Sequence, residues 1–446
     1  MYNPPLMNTT TTAFANYPVT TEINTHGHMV VGGCDTIDLA KTYGTPLYIF
    51  DEETLRSRCK QYVEAFQQTG LDFEIIYASK ACSLLAVLQV IREEGLGIDI
   101  VSGGELYTAL QAGFSGKQIY FHGNNKQKQE IMEALDAEIG HFIVDNLDEL
   151  ELIDRLAKQK NVTANIMIRV TPGIEAHTHE YIQTGQLDSK FGIHADQIVN
   201  AVKLAQAKKN INFVGLHIHI GSQILETKPF SLAAEIAMNL VKEIHQKTKA
   251  TIKVLDLGGG LGINYLSKDK APEIADYIKV LADSLKYVSK QIDIPIPKIM
   301  VEPGRSLVAP AGVTLYQVGT IKDLKNIRKY VAVDGGMADN PRPITYGAIY
   351  DAVVANKISA KRTELVTIAG KYCESGDILV KDIQIQPIAQ DDIIAFMATG
   401  AYNHAMSSNY NQALRPATVL VNNGQAKVIC KRESYADLLK NQIPLK

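Results

Sequence analysis

The stretch 73–102, "FEIIYASKACSLLAVLQVIREEGLGIDIVS", decides how the chain folds. It opens with apolar, partly β-branched residues that run up to Lys80. Residues 84–94 then carry apolar side chains at three- and four-residue spacing, and 97–102 is a second apolar run. Strand, helix and strand in so short a space make a unit whose two strands run parallel, because a helical return brings the chain back to the end where it started. The alternation continues without a break from 74 to 303. The strand-like runs are "EIIYAS", "GIDIVS", "QIYFHG", "HFIVD", "NIMIRV", "FVGLHIHI", "KVLDLG" and "KIMVEP", eight in all. Helix-period segments such as 104–112, 126–137 and 230–247 lie between them. Eight successive β/α alternations predict an α/β fold, a (β/α)8 barrel of the TIM type, in preference to a doubly wound open sheet.

Beyond residue 313 the texture changes to short strands with turn signals, "YVAVDGG", "ELVTIAG", "DDIIAFMATGAY" and "ATVLVNNGQAKVIC", which predict a C-terminal antiparallel β domain. The segment 28–51, "HMVVGGCDTIDLAKTYGTPLYIFD", precedes the first barrel strand yet has strand character, so it is expected to return and complete that domain. The expected organisation is a disordered tail (1–23), an N-terminal segment joining the β domain (24–50), the barrel (51–310) and the β domain (311–446).

Composition narrows the function. A net charge of −3 and no Lys/Arg-rich stripe argue against nucleic acid and anionic membrane, and no apolar run approaches the length that spans a bilayer. A small-molecule partner is expected. The five cysteines, Cys34, Cys59, Cys82, Cys373 and Cys430, are scattered and lack CxxC spacing, so neither a disulfide framework nor a structural zinc site is predicted. The first twenty residues resemble no secretory or transit signal, and the expected location is cytoplasmic.

In a barrel of this kind functional groups stand at the C-terminal ends of the strands, and phosphate often binds in the loops after the last two. The unusual residues fall there: Lys80 after the first strand, Asp99 in the second, His217 and His219 near the end of the sixth, "GGGLG" (258–262) after the seventh and "EPGR" (302–305) after the eighth. An arbitrary lysine packs its stem and sends its amine to solvent. At a barrel mouth beside a phosphate site, an amine with a depressed pKa suits covalent capture of an aldehyde cofactor instead.

Taken together, "YASKAC" (77–82), "HIHIGSQ" (217–223), "LDLGGGLGI" (255–263), "VEPGRSLVAPAG" (301–312), "DNPRPITYGA" (339–348), "CESGD" (373–377) and "GAYNHAMSSNYN" (400–411) resemble the pyridoxal-phosphate-dependent decarboxylases that join an alanine-racemase-like barrel to a β domain. Within that family the pattern is most similar to the group acting on diaminopimelate. The likeness runs from about residue 27 to about 433, with two departures: Cys82 where asparagine is common, and a tail before residue 24 without counterpart.

The resemblance implies pyridoxal 5'-phosphate as cofactor, held covalently by Lys80. It implies that Ser222, Gly258, Gly259 and Gly260 bind its phosphate, since glycines let backbone N–H groups approach an anion closely, and that Gly304 and Arg305 also contact the cofactor. Glu302 would face the pyridine nitrogen and keep it protonated, which favours decarboxylation over racemisation; a structural pairing of Glu302 with Arg305 is the plainer alternative. His219 would stack on the ring, chosen over His217 by the adjoining "GSQ", and Asp99 would support the site. Arg305, Arg342 and Tyr346 would receive a substrate's distal carboxylate, and Glu374 its distal ammonium. Cys373, with Tyr402 near the cofactor, would act in a neighbouring subunit's site, making the protein a homodimer with shared active sites. The implied reaction converts meso-2,6-diaminopimelate to L-lysine and CO2; the alternatives are ornithine, arginine or carboxynorspermidine decarboxylation, or a catalytically idle relative. The long connection 171–193 is expected to be a lid. His177, His179 and His194 near it invite a metal reading, but without partners at ligand spacing no metal is expected.

Overall fold

The computed structural model describes residues 16–171 and 189–445. They form two compact units, one within Leu55–Gly262 and Ala271–Val308, the other combining the described residues up to Thr54 with Ile263–Lys270 and the chain from Ala309 onward.

The first of these is the expected barrel. Eight parallel strands, Phe73–Ala78, Gly97–Ile100, Ile119–Phe121, His141–Val144, Ala164–Thr171, Ile211–His217, Val254–Asp256 and Lys298–Val301, pair each with the next and the eighth with the first. A short strand, Ile193–His194, adds outside the ring beside Val170 and Thr171. The helices between strands start where the local sequence supplies a cap: Ser102 accepts the N–H of Glu105 and Asn146 that of Glu149, each satisfying a donor the helix cannot. The two long helices Lys228–Thr248 and Ile274–Ile292 meet through an edge-on contact of Phe230 and Tyr277 at 4.5 Å.

The arrangement inside the ring sets up the site. Ile76, Tyr120, Ile143, Met167, Val214, Val254 and Met300 form a buried apolar cluster drawn from seven of the strands. Side chains alternate along a strand, so residues two positions further on point the same way. Those residues are Ala78, His122, Asp145, Arg169, Asp256 and Glu302. The sixth strand slips by one residue: Phe213 pairs with Ile166 and Gly215 with Met167, leaving Val214 as the extra residue of a bulge. His217 is thereby brought level with Arg169. An apolar layer therefore lies beneath a polar layer at the C-terminal ends.

The other unit holds a β sheet. The long strand Gly312–Leu324 pairs antiparallel with Leu47–Asp51, Arg328–Val333 and Ile393–Met397. The N-terminal segment does join this sheet, its strand Leu47–Asp51 lying between Gly312–Leu324 and Ala417–Asn422. The sheet is mixed where a wholly antiparallel one was expected: Leu47–Asp51 runs parallel to Ala417–Asn422, and Arg328–Val333 parallel to Glu364–Ala369. Turn signals mark where strands end and leave direction undetermined. Both pairs are joined through long intervening chain, which parallel pairing requires. Met29, Val31, Leu47, Ile49, Val313, Leu315, Ala395, Met397, Val419 and Val421 build its core.

Of the expected disordered tail, residues 1–15 lie outside the described residues, and 16–23 are ordered. Asn16 and Tyr17 are buried, Asn16 donates to the carbonyl of Tyr265, and Val19 donates to Thr54. An aromatic side chain that finds an apolar seat outweighs a polar composition.

Candidate active site

Lys80 stands one turn beyond the first barrel strand, in the 3-10 turn Ser79–Ala81. The turn is tied down: Ser83 donates to the carbonyl of Ser79 and to Glu105, which also accepts the N–H of Val101. The side chain of Lys80 is exposed. Its charge is felt at Asp99, Glu105 and His219. Asp99 is fully buried, and burial pushes its carboxyl up to about 6 against the opposing pull of His122 and Lys80.

Glu302 follows the eighth strand and is buried in the polar layer. Its Oε2 lies 3.2 Å from His217 Nε2, and its Oε1 lies 2.8 Å from His122 Nε2, an approach without ordinary hydrogen-bond alignment. The rings of His122 and His217 meet edge-on at 4.9 Å. Burial works to raise the Glu302 carboxyl, but its pairing with His122 and His217 wins and holds it well below the usual carboxylate range. His217 is pushed down to about 4 by burial and is neutral near pH 7, so it serves Glu302 as a hydrogen-bond donor. Arg169 extends the same layer, its guanidinium stacked on Phe191 at 4.3 Å. The donor atoms of His122, His217 and Glu302 all lie within 4.8 Å of one another, a spacing that a metal ion could span, but their pairing with one another accounts for it.

The glycine loop after the seventh strand wedges between its neighbours. A Cβ on Gly258 would stand 2.5 Å from the carbonyl of Ile218, one on Gly259 2.2 Å from that of Glu302, and one on Gly260 2.8 Å from that of Gly221. Gly258 and Gly260 also have φ of +69° and +123°, which side chains disfavour. Gly304 presses on Ala78 in the same way, at 3.0 Å. The loops after the sixth, seventh and eighth strands are thus drawn together, with Glu302 N–H donating to the carbonyl of Gly258. Beside them Arg305 Nη2 donates to Ser222 Oγ at 3.1 Å, and Gly259 N–H reaches His219 Nδ1 at 3.4 Å. Guanidinium, hydroxyl and closely approaching backbone form a set suited to a phosphate. His219, half-buried at the mouth, is pushed down to about 3 by burial, with Lys80 adding to the effect, so its ring is neutral.

Lys80, Asp99, His219, Ser222, Gly258, Gly259, Gly260, Glu302, Gly304 and Arg305 therefore all belong to the barrel unit, at the C-terminal ends of its strands. Arg342, Tyr346, Cys373, Glu374 and Tyr402 belong to the other unit. There Arg342 is buried between Tyr265 and Tyr350, donating to their hydroxyls at 2.8 and 2.6 Å. Tyr346, Cys373 and Glu374 are exposed, and Tyr402 is half-buried with a φ of +62°. The stretches carrying these residues are knotted together. Tyr372 donates its hydroxyl to Asp339, and Asp377 accepts the N–H groups of Met337 and Tyr372.

Reading the sequence for motifs missed His122, Asp145, Arg169 and Asp256. Each stands two residues after an apolar barrel residue, the place Glu302 takes after Met300, and that offset is the signal that finds them. The expected lid falls mostly on 172–188, with His177 and His179, outside the described residues; His194 pairs with Asp196.

Residues 52–309 match the family model described as "Pyridoxal-dependent decarboxylase, pyridoxal binding domain". The chain is 50% identical over 417 residues to the diaminopimelate decarboxylase of Bacillus methanolicus, covering 93% of this chain and 96% of that protein. It is 46% identical over 429 residues to that of Bacillus subtilis (strain 168), covering 96% and 98%. Among solved structures, diaminopimelate decarboxylase from M. jannaschii in complex with L-lysine superposes with a TM-score of 0.91 at 36% identity, covering 97% of this chain and 99% of that one.

Proposed function

The chain belongs to the pyridoxal-dependent decarboxylases, and from that premise we propose that it decarboxylates meso-2,6-diaminopimelate at its D centre to give L-lysine and CO2, the last step of lysine biosynthesis. The reaction type is carried by one observation: an acid held ionised at the end of the eighth strand, Glu302 between His122 and His217. The choice of substrate rests on the relatives, diaminopimelate decarboxylases that match this chain over nearly their full length.

The residues present fit pyridoxal 5'-phosphate. When bound, that cofactor supplies an electron sink for the electrons left behind as CO2 departs. Lys80 would hold it covalently through its ε-amine. Ser222, the glycines 258–260, Gly304 and Arg305 would hold its phosphate, a role the missing Cβ atoms and the Arg305–Ser222 bond support. Glu302 would keep a proton on the pyridine nitrogen. The neutral His219 would cover one ring face, with Asp99 and Tyr402 nearby.

On the substrate side Arg342 and Arg305, with Tyr346, would take the distal carboxylate, and Glu374 the distal ammonium. The two tyrosines that fix Arg342 support this, because their hydroxyls hold its guanidinium in place as neutral partners and leave its charge for a carboxylate. Cys373 would return a proton to the carbon that lost CO2, in the active site of a neighbouring subunit of a cytoplasmic homodimer. Among the described residues no helix is long and apolar enough to cross a membrane.

The test is CO2 release from diaminopimelate, ornithine, arginine and carboxynorspermidine by the protein loaded with pyridoxal phosphate. Release from diaminopimelate alone is expected. Lys80→Ala should abolish it, along with the visible absorbance that borohydride removes from the wild type. A faster reaction with ornithine or arginine would transfer the assignment to those substrates.

A further inference from the structure

Asp256 ends the seventh barrel strand and is fully buried. It pairs in register with Met300, so Glu302, two residues on, lies diagonally from it on the same face of the neighbouring strand. One oxygen of Asp256, Oδ1, accepts the N–H of Gly258 at 2.8 Å. The other, Oδ2, finds no donor, and neither does Oε1 of Glu302 an aligned one. Two carboxylates left like this, side by side and out of water, would repel, and each would keep a lone pair that nothing satisfies. A single proton shared between them removes both costs.

We propose that Asp256 is neutral in the resting protein and donates its carboxyl proton to Glu302, so that it is a positioning residue fixing Glu302 in its ionised form. The other groups facing this pair divide the work. His217 donates to the second oxygen of Glu302, and His122 stands with its Nε2 2.8 Å from Oε1 and lowers that carboxyl without an aligned hydrogen bond. Arg169 supplies positive charge, and Asp99 adds negative charge that further discourages a second ionised acid. The directions of titration agree: burial and the nearness of Glu302 push Asp256 well above the usual range, while Glu302 goes well below it. The proposal rests on the reading of Glu302 as the acid that faces the cofactor's ring nitrogen.

Asparagine is the isostere of a protonated aspartate, with an N–H in place of the O–H, and leucine fills similar space without a donor. In the protein freed of cofactor, the infrared spectrum near pH 7.5 should lose one protonated-carboxyl C=O band on Asp256→Asn; an unchanged band set overturns the proposal. In the loaded enzyme Asp256→Asn should keep kcat within about threefold of wild type, while Asp256→Leu lowers kcat about 10²-fold with KM little changed. Equal damage from both, or a fall in Asp256→Asn as deep as in Asp256→Leu, would overturn it. Should Asp256→Leu fail to fold, the Asp256→Asn rate and the infrared band decide alone. Glu302→Gln separates the two readings: undiminished decarboxylation there sinks the role given to Glu302 and the kinetic half of this proposal, and the infrared band still decides where the proton sits.

Discussion

Asp339 shows how a single buried acid couples this fold to pH. It accepts the hydroxyls of Tyr316 and Tyr372 and the N–H of Gly336. Burial nevertheless dominates and pushes its carboxyl up to about 7. In the unfolded chain the same group titrates near ~3.9. Between those values the native state binds more protons than the unfolded state, so stability is fully present at low pH and is lost as pH rises through about 7. The slope is at most about 1.4 kcal/mol per pH unit for one such group. Urea midpoints should therefore fall between pH 5 and pH 8, and Asp339→Asn should flatten that fall by the share of one group. An unchanged slope in the variant would show that Asp339 does not hold a proton. Tyr372 adjoins Cys373, so this acid also anchors the stretch bearing a proposed proton donor.

Among the elements, the glycine loop after the seventh strand makes two demands at once. Gly258 combines a φ of +69° with an absent Cβ that would otherwise sit 2.5 Å from a carbonyl oxygen of the preceding strand's loop. Gly95 has a similar φ of +82° but open space around it. Alanine at Gly95 should therefore cost only the left-handed strain, about 1 kcal/mol. At Gly258 the forced contact adds about 1–3 kcal/mol more and should weaken retention of pyridoxal phosphate. Equal denaturation midpoints for the two variants would mean that the loops after the sixth and seventh strands can separate freely. Much of this was legible beforehand, since Lys80, Glu302 and the three glycines all lie where strand-like runs end. The partners of Glu302 were not. His122 and Asp256 sit in plain view in "QIYFHG" and "KVLDLG", but short apolar runs buried on both faces carry no alternation that tells inside from outside. The bulge at Val214, which brings His217 level with Arg169, leaves no mark in the residue pattern at all.

For the molecule as a whole, the decisive question is whether one subunit completes another's site. Lys80 and Cys373 stand in separate compact units of the chain. If Cys373 serves a neighbouring subunit, Lys80→Ala and Cys373→Ala, each nearly inactive, should complement when co-expressed. Random pairing leaves about one quarter of all sites intact, and activity of that order is the expected result. No recovery in a mixture shown by sequential capture on two different subunit tags to contain mixed dimers would place Cys373 in its own subunit's site or in none.

The sequence by itself determined the eight β/α alternations, the return of the N-terminal strand to the second sheet, and the positions of Lys80, Glu302 and the glycine loop. All of these follow from periodicity and chain order, which are local properties. Only the tertiary structure decided that the second sheet is mixed, that residues 16–23 are ordered, and that His122, Arg169, His217 and Asp256 surround one acid. Strand direction, inward face and charge pairing depend on which distant segments become neighbours. Closing the ring sets those, and with them which carboxyl keeps its proton.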